Sequence, residues 1–364
     1  MEISSENKKL FVVFDVGAKG TRNDLFDRKI AEVKHKYNPN MFAPVLLYEA
    51  CLKRGIQLLT PDLYFAMNPK PANAILLKDS LIDNSFTDRL IRSGIRPAVL
   101  FGFEQPLYVC EFYFHLKRNT HIYDHVFMPK GAAPRVSKKA VFHPWISPQV
   151  VMENKTIAPR FSDRKFLSMI NGNARIHFLK RVYAGLFSVM RQFPSLVNRE
   201  LYVDRLEAIK FFSNDPGFDL FGRGWDAPVR YTRSYDESIK KSYRGEIDDK
   251  IGKLREYKFC LIFENCIFDG WVTEKIIDAM SAGCVPVYWG APDIADYIPE
   301  NCFIDFRKFK DFEDLSRFLK SMDEKTFDRY SENMKNFFAS DMYYTHFSPE
   351  KFTKDMIQIF ESYI

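Results

Sequence analysis

The residues best placed to do chemistry lie in one window, Phe263 to Pro292, which reads FENCIFDGWVTEKIIDAMSAGCVPVYWGAP. The apolar run Phe259 to Phe263 predicts a buried strand ending in the polar pair Glu264 and Asn265. A loop through Gly270 leads into a helix that starts at Val272 or Thr273 and closes at Gly283, with Pro286 just beyond. Thr273, Glu274 and Lys275 then occupy the first turn. Free amides at such an end attract phosphate, and a lysine beside them adds a full positive charge. That pattern suits a diphosphate leaving group. The same Glu and Lys on an arbitrary helix are ordinary solvated charges, so the weight rests on the whole window.

These side chains need a scaffold, and the chain supplies short apolar runs alternating with amphipathic stretches, the pattern of parallel sheets covered by helices. In the first half, strands are expected at Leu10 to Phe14, Ile56 to Leu59, Ala74 to Leu77, Ala98 to Phe103 and Ile122 to Phe127. Helical spacing marks Met41 to Lys53, Leu81 to Arg92 and Leu107 to Lys117. In the second half, strands are expected at Phe166 to Ile170, Phe218 to Phe221, Tyr257 to Phe263, Val285 to Tyr288 and Phe303 to Asp305, and helices at Glu200 to Phe212, Lys250 to Tyr257, Thr273 to Ala282 and Phe312 to Met322. The Pro- and charge-rich stretch Pro129 to Arg164 reads as the connection between halves. The expected architecture is α/β, with two doubly wound domains over 1–150 and 151–340, and a C-terminal helical segment over 341–364 that returns to the first domain. Open α/β sheets bind ligands beyond the carboxyl ends of their strands, so facing domains would enclose a substrate.

Composition narrows the class. The 364 residues are 46% apolar, 16% aromatic and 27% charged, which excludes disorder and low-complexity fibres. Residues 1–150 hold 21 basic and 14 acidic groups, a net of +7, whereas 151–364 hold 32 and 33, a net of −1. Between Lys130 and Arg181 stand eleven basic residues against only Glu153 and Asp163. This segment favours an anionic partner or serves as a solvated linker. No run approaches the roughly 20 apolar residues of a membrane span, and no cleavable signal pattern is visible. The six cysteines are scattered without a paired spacing and read as reduced thiols of a cytoplasmic protein.

The window also carries a resemblance. FEN, then GWVTEKIIDA, then PVYWGAP resemble the donor-binding signature of the α1,3/1,4-fucosyltransferases, glycosyltransferase family ten. The resemblance implies the GT-B architecture of two Rossmann-like domains facing a cleft, a GDP-L-fucose donor and inversion at the sugar's anomeric carbon. It implies that Lys275 holds the donor pyrophosphate, that Glu274 contacts the donor sugar or ribose, and that Asn265 and Thr273 belong to the donor site. Trp271 stands where many members have tyrosine, which keeps an aromatic wall but loses a hydroxyl. Upstream, INGN (Ile170 to Asn173), LYVDRLEAIKFF and DLFGRGWD resemble further family segments. Arg205, 17 residues before Gly222, best matches the phosphate-binding arginine, with Arg175 and Arg181 as rivals. LFGFEQP (Leu100 to Pro106) is similar to the segment carrying the general base, which would make Glu104 the base and Glu111 its nearest competitor. Phe101, Phe103, Phe112 and Tyr113 are candidates for stacking on sugar.

No two aspartates are separated by one residue, so the D-x-D metal pair of many nucleotide-sugar enzymes is missing, and His121 and His125 are expected on a strand and loop rather than one helix face. Metal-independent chemistry follows as an expectation, with Arg205, Lys275 and helix amides stabilising the diphosphate. The expected partners are a GDP-sugar donor and an oligosaccharide or glycolipid acceptor, as in surface-glycan or lipopolysaccharide synthesis. The basic segment adds contact with the inner face of a membrane as its sharper reading, and nucleic acid falls away. Two alternatives stand beside this: a transferase of another nucleotide sugar, and a nucleotide- or glycan-binding protein without catalysis.

Overall fold

The computed structural model describes residues 9–17, 22–35, 42–79, 81, 85–102, 104–149, 151, 159–173, 200–226 and 233–364. The chain divides into two compact units: Met1–Val150 with Val182–Gln192 and Thr345–Ile364, and Val151–Arg181 with Phe193–Tyr344. Arg175, Arg181 and Phe103 lie outside the described residues.

The first unit is built on a six-stranded sheet of β1 (Phe11–Asp15), β2 (Gln57–Leu59), β3 (Ala74–Lys78), β4 (Arg96–Phe101), β5 (His125–Met128) and β6 (Val141–Pro144), in the spatial order 2-1-3-4-5-6. Every pairing is parallel. The chain therefore reverses its direction of travel across the sheet between β1 and β3, where ligand crevices form in such folds. The inner strands are apolar on both faces because helices cover both. The C-terminal helix Pro349–Glu361 lays Met356, Ile357 and Phe360 into the core formed by Val12, Phe14, Leu47, Leu58 and Leu77. Ser348 caps its start by accepting a bond from the Lys351 amide, and Pro349 fills the first helical position.

Two expectations are corrected here. The stretch Pro129 to Arg164 is not all connection, because Val141–Pro144 pairs with β5 as the sheet's edge strand. An edge strand needs no continuous apolar run and tolerates proline, so it left no buried-strand pattern. The helix expected over Leu107 to Lys117 breaks at His115 into Cys110–Phe114 and Leu116–Thr120.

The second unit holds β7 (Lys165–Ile170), β8 (Phe218–Phe221), β9 (Tyr257–Phe263), β10 (Val285–Trp289) and β11 (Ile304–Asp305), in the order 11-10-9-7-8 and again all parallel. β9 is the central strand, and six of its seven residues are buried. Its reversal point lies between β7 and β9, so the turn after Ile170 and the turn after Phe263 stand side by side at the carboxyl edge. Gly222, at φ +128°, makes a close backbone approach there: a Cβ on it would lie 2.1 Å from the Asn171 carbonyl oxygen. Only glycine fits that junction.

Candidate active site

The carboxyl end of β9 carries the densest polar cluster among the described residues of the second unit. The Glu264 amide still donates to the Trp289 carbonyl of β10 at 2.8 Å, and its side chain is fully buried. It runs over Gly290, where a Cβ would come within 2.5 Å of the Glu264 Cγ. The carboxylate accepts the Thr273 amide at 3.0 Å and the Lys275 ammonium at 3.0 Å. The Thr273 hydroxyl lies 2.8 and 2.9 Å from its two oxygens and accepts from Lys275 Nζ at 2.7 Å. One buried carboxylate thus fixes both the residue that opens the helix Glu274–Ser281 and the lysine in that helix's first turn. A buried charge is tolerated only when it is paired and hydrogen-bonded, and Glu264 meets both conditions.

Thr273 sits at the N-cap with extended backbone, yet its side chain makes no capping bond to the helix because Glu264 and Lys275 engage it. The first-turn amides keep the positive end of the helix dipole uncapped by a side chain. Glu274 stands 3.8 Å from Lys275 with 28% of its side chain exposed. Burial would raise its carboxyl, but Lys275 and Lys250 outweigh that and hold it below the usual carboxylate range. Behind it, Lys250 meets Asp278 at 2.6 Å.

Arg205 lies on the helix Tyr202–Phe212 and is 3% exposed. Its Nε and Nη2 donate to the Phe263 carbonyl at 3.1 and 2.5 Å, and Nη2 reaches Asn265 Oδ1 at 2.9 Å. The Leu201 amide donates to the Asn265 carbonyl at 3.1 Å, so the entry of the same helix clasps the same turn. The structure therefore brings Arg205, Asn265, Thr273, Glu274 and Lys275 to one sheet edge, with Arg205 bonded to the protein's own turn. Trp271 is 4% exposed, so its indole is packed into the protein rather than spread as an open wall. On the neighbouring strands, the Asn171 carbonyl accepts Trp225 Nε1 at 2.6 Å, and Asn173 donates to the Gly224 carbonyl at 2.9 Å.

Sequence reasoning did not assign Glu264 a role. The signal was present as an acidic residue ending a buried strand, nine and eleven residues before Thr273 and Lys275. Glu264→Ala leaves the lysine and the Thr273 amide without their acceptor, and breaking a buried pair from one side costs about 3–5 kcal/mol. Urea unfolding followed by tryptophan fluorescence should register that loss, with Glu264→Gln, which keeps an acceptor oxygen, losing less.

In the first unit, Glu104 follows the carboxyl end of β4 and is half-buried. Its carbonyl accepts the Tyr113 hydroxyl at 3.0 Å, which fixes the turn. Glu111 is exposed on the helix that follows. Phe101 and Tyr113, candidates for sugar stacking, are instead core residues at 3% and 0% exposure. The adjacent strand β3 delivers a second carboxylate, Asp79, whose amide is bonded to the Asp15 carbonyl at 2.8 Å. Asp79 keeps a water-accessible face, but the surrounding protein and the charge of Glu104 push it up to about 7 against the pull of Lys78. Beneath it, the Thr87 hydroxyl bridges Asp15 and Lys78 with two bonds of 2.6 Å, all three side chains being buried. Asp79 carried no motif, and its approach to Glu104 is a consequence of strand order.

Comparison with known proteins follows the same division. Residues 202–356 match the model for the C-terminal domain of glycosyltransferase family 10 (fucosyltransferase). The α-(1,3)-fucosyltransferase FucT of Helicobacter pylori is 36% identical over 83 residues, which are 23% of this chain and 17% of that enzyme. The chain therefore aligns with less than a fifth of that relative's length. Among solved structures, Anabaena HepE in complex with UDP and glucose superposes with a TM-score of 0.57 at 10% identity, covering 97% of this chain and 99% of its own. An α1,3-fucosyltransferase with GDP-fucose gives a TM-score of 0.50 at 16% identity, covering 99% and 93%. These likenesses show the fold, the GT-B class with its two Rossmann-like domains.

Proposed function

Because the chain carries a glycosyltransferase family 10 (fucosyltransferase) C-terminal domain over residues 202–356, we propose that it transfers L-fucose from GDP-L-fucose to a GlcNAc or glucose hydroxyl of a glycan, with inversion and without a metal ion. The observation that carries this reading is the Glu264–Thr273–Lys275 cluster at the start of the helix Glu274–Ser281, a cation and open amides set for a diphosphate. The acceptor oxygen attacks the anomeric carbon of fucose as the bond from that carbon to the β-phosphate oxygen breaks. The electron pair leaves on GDP, and the acceptor's proton passes to the Glu104 carboxylate. Lys275 and the helix amides take the growing charge on the diphosphate. Glu274 accepts a donor hydroxyl, Asn265 positions the donor, and Arg205 supports both through the turn it clasps.

The donor is supported by the family match and by what the relatives' names say they use. The α1,3 or α1,4 linkage and a surface-glycan acceptor extend the same resemblance. Metal independence rests on the missing D-x-D pair and on the cations gathered at the β9 edge. Among the described residues no helix is long and apolar enough to cross a membrane.

A donor panel of GDP-fucose, GDP-mannose and UDP-sugars tests the proposal, with lactose or N-acetyllactosamine as acceptor and EDTA present or absent. GDP-fucose turnover that changes less than twofold with EDTA is the expected result. Loss of turnover in EDTA overturns the metal-free step, and turnover only with another donor overturns the sugar. Tight GDP binding without turnover on any acceptor leaves a binding protein.

A further inference from the structure

Lys250 and Asp278 form a buried ion pair that the proposed chemistry does not use. Lys250 opens the short helix Lys250–Arg255, whose N-cap Asp249 accepts the Gly252 amide at 2.8 Å. Its Nζ meets Asp278 Oδ2 at 2.6 Å, with side-chain exposures of 15% and 2%. Asp278 lies one helical turn after Glu274, so the two carboxylates share one face of the helix Glu274–Ser281. Like charges at that spacing repel, and the only cation reaching both from outside their helix among these contacts is Lys250.

We propose that Lys250 is a positioning residue for the donor site, a buried counter-ion that locks Asp278 and holds the Glu274 carboxylate beside Lys275. The inference rests on the donor-site reading given above. Glu274 is faced by Lys250 from the preceding helix, by Lys275 and Asp278 from its own and by Arg205 from the helix Tyr202–Phe212; Glu264 acts on it through Lys275, and Cys260 of β9 faces Lys250. Burial and the Glu274 charge push Asp278 up to about 6 in spite of Lys250, so the face has no room for a second unneutralised carboxylate. Without Lys250 one of the two carboxylates must take a proton. Without Asp278, Lys250 serves Glu274 alone.

The two partners therefore give opposite results on the full chain. GDP affinity measured by calorimetry from pH 8 to pH 6 should stay flat for the parent and for Asp278→Asn. It should fall about tenfold for Lys250→Met, since one unit of upward pKa displacement is a tenfold change in proton affinity. Lys250→Arg, which keeps the cation, should restore the flat profile. Equal losses for Lys250→Met and Asp278→Asn at every pH would reduce the pair to a structural staple and overturn the proposal. If the parent binds no GDP, the donor-site reading fails separately, and the carboxyl ¹³C titration of Glu274 in the glutamate-labelled chain decides. An upward displacement in Lys250→Met alone supports the positioning role, and matching titrations in both variants refute it.

Discussion

Lys275→Met should lower kcat/KM for GDP-fucose by about 10²–10³, the loss typical of removing one preorganised donor from a developing oxyanion. Two effects are mixed in that variant. The ammonium is lost from the diphosphate, and Glu264 keeps only its bonds from Thr273. The double variant Lys275→Met with Glu264→Gln separates them, because it removes the unpaired buried charge and leaves the missing cation. Recovery of stability without recovery of turnover is the expected pattern. Recovery of both would show that the lysine serves the fold alone.

Glu104→Gln should lower kcat by about 10²–10⁴, the range of general acid–base catalysis, while GDP affinity stays within twofold of the parent. The split arises because Glu104 belongs to the first unit and the diphosphate cluster to the second. Asp79→Asn is the necessary companion, since it removes the other carboxylate at the same sheet edge and should cost less than tenfold. Steady-state kinetics of both variants decide the assignment. If Asp79→Asn abolishes turnover and Glu104→Gln does not, Asp79 is the base.

Much of the second unit was legible because its central strand is buried on both faces. Tyr257–Phe263 is an almost unbroken apolar run, and the residues that follow it sit at the sheet's carboxyl edge by the geometry of any βα unit. The helix start at Thr273 was equally readable from the polar residues before it and the glycine after it. Three features were not. β6 is an exposed edge strand, so burial imposed no pattern on it. Glu264 reads locally as a polar strand end, and its role emerges only when the chain returns nine residues later. Asp79 neighbours Glu104 because β3 lies beside β4, a fact of sheet order that local sequence does not carry. Trp271 was misread for a related reason: an indole in a loop is taken for a ligand surface, whereas this one is packed against the protein.

The charges around the β9 edge have a kinetic consequence. Glu264, Glu274 and Asp278 supply three negative charges, and Arg205, Lys250 and Lys275 supply three positive ones. Seen from more than a Debye length away, about 8 Å at physiological ionic strength, such a cluster is nearly neutral. It grips an anion at contact but does not draw one in from solution. The capture rate of a nucleotide diphosphate owed to this cluster is therefore set by diffusion and fit, and added salt should lengthen its search far less than it shortens its stay.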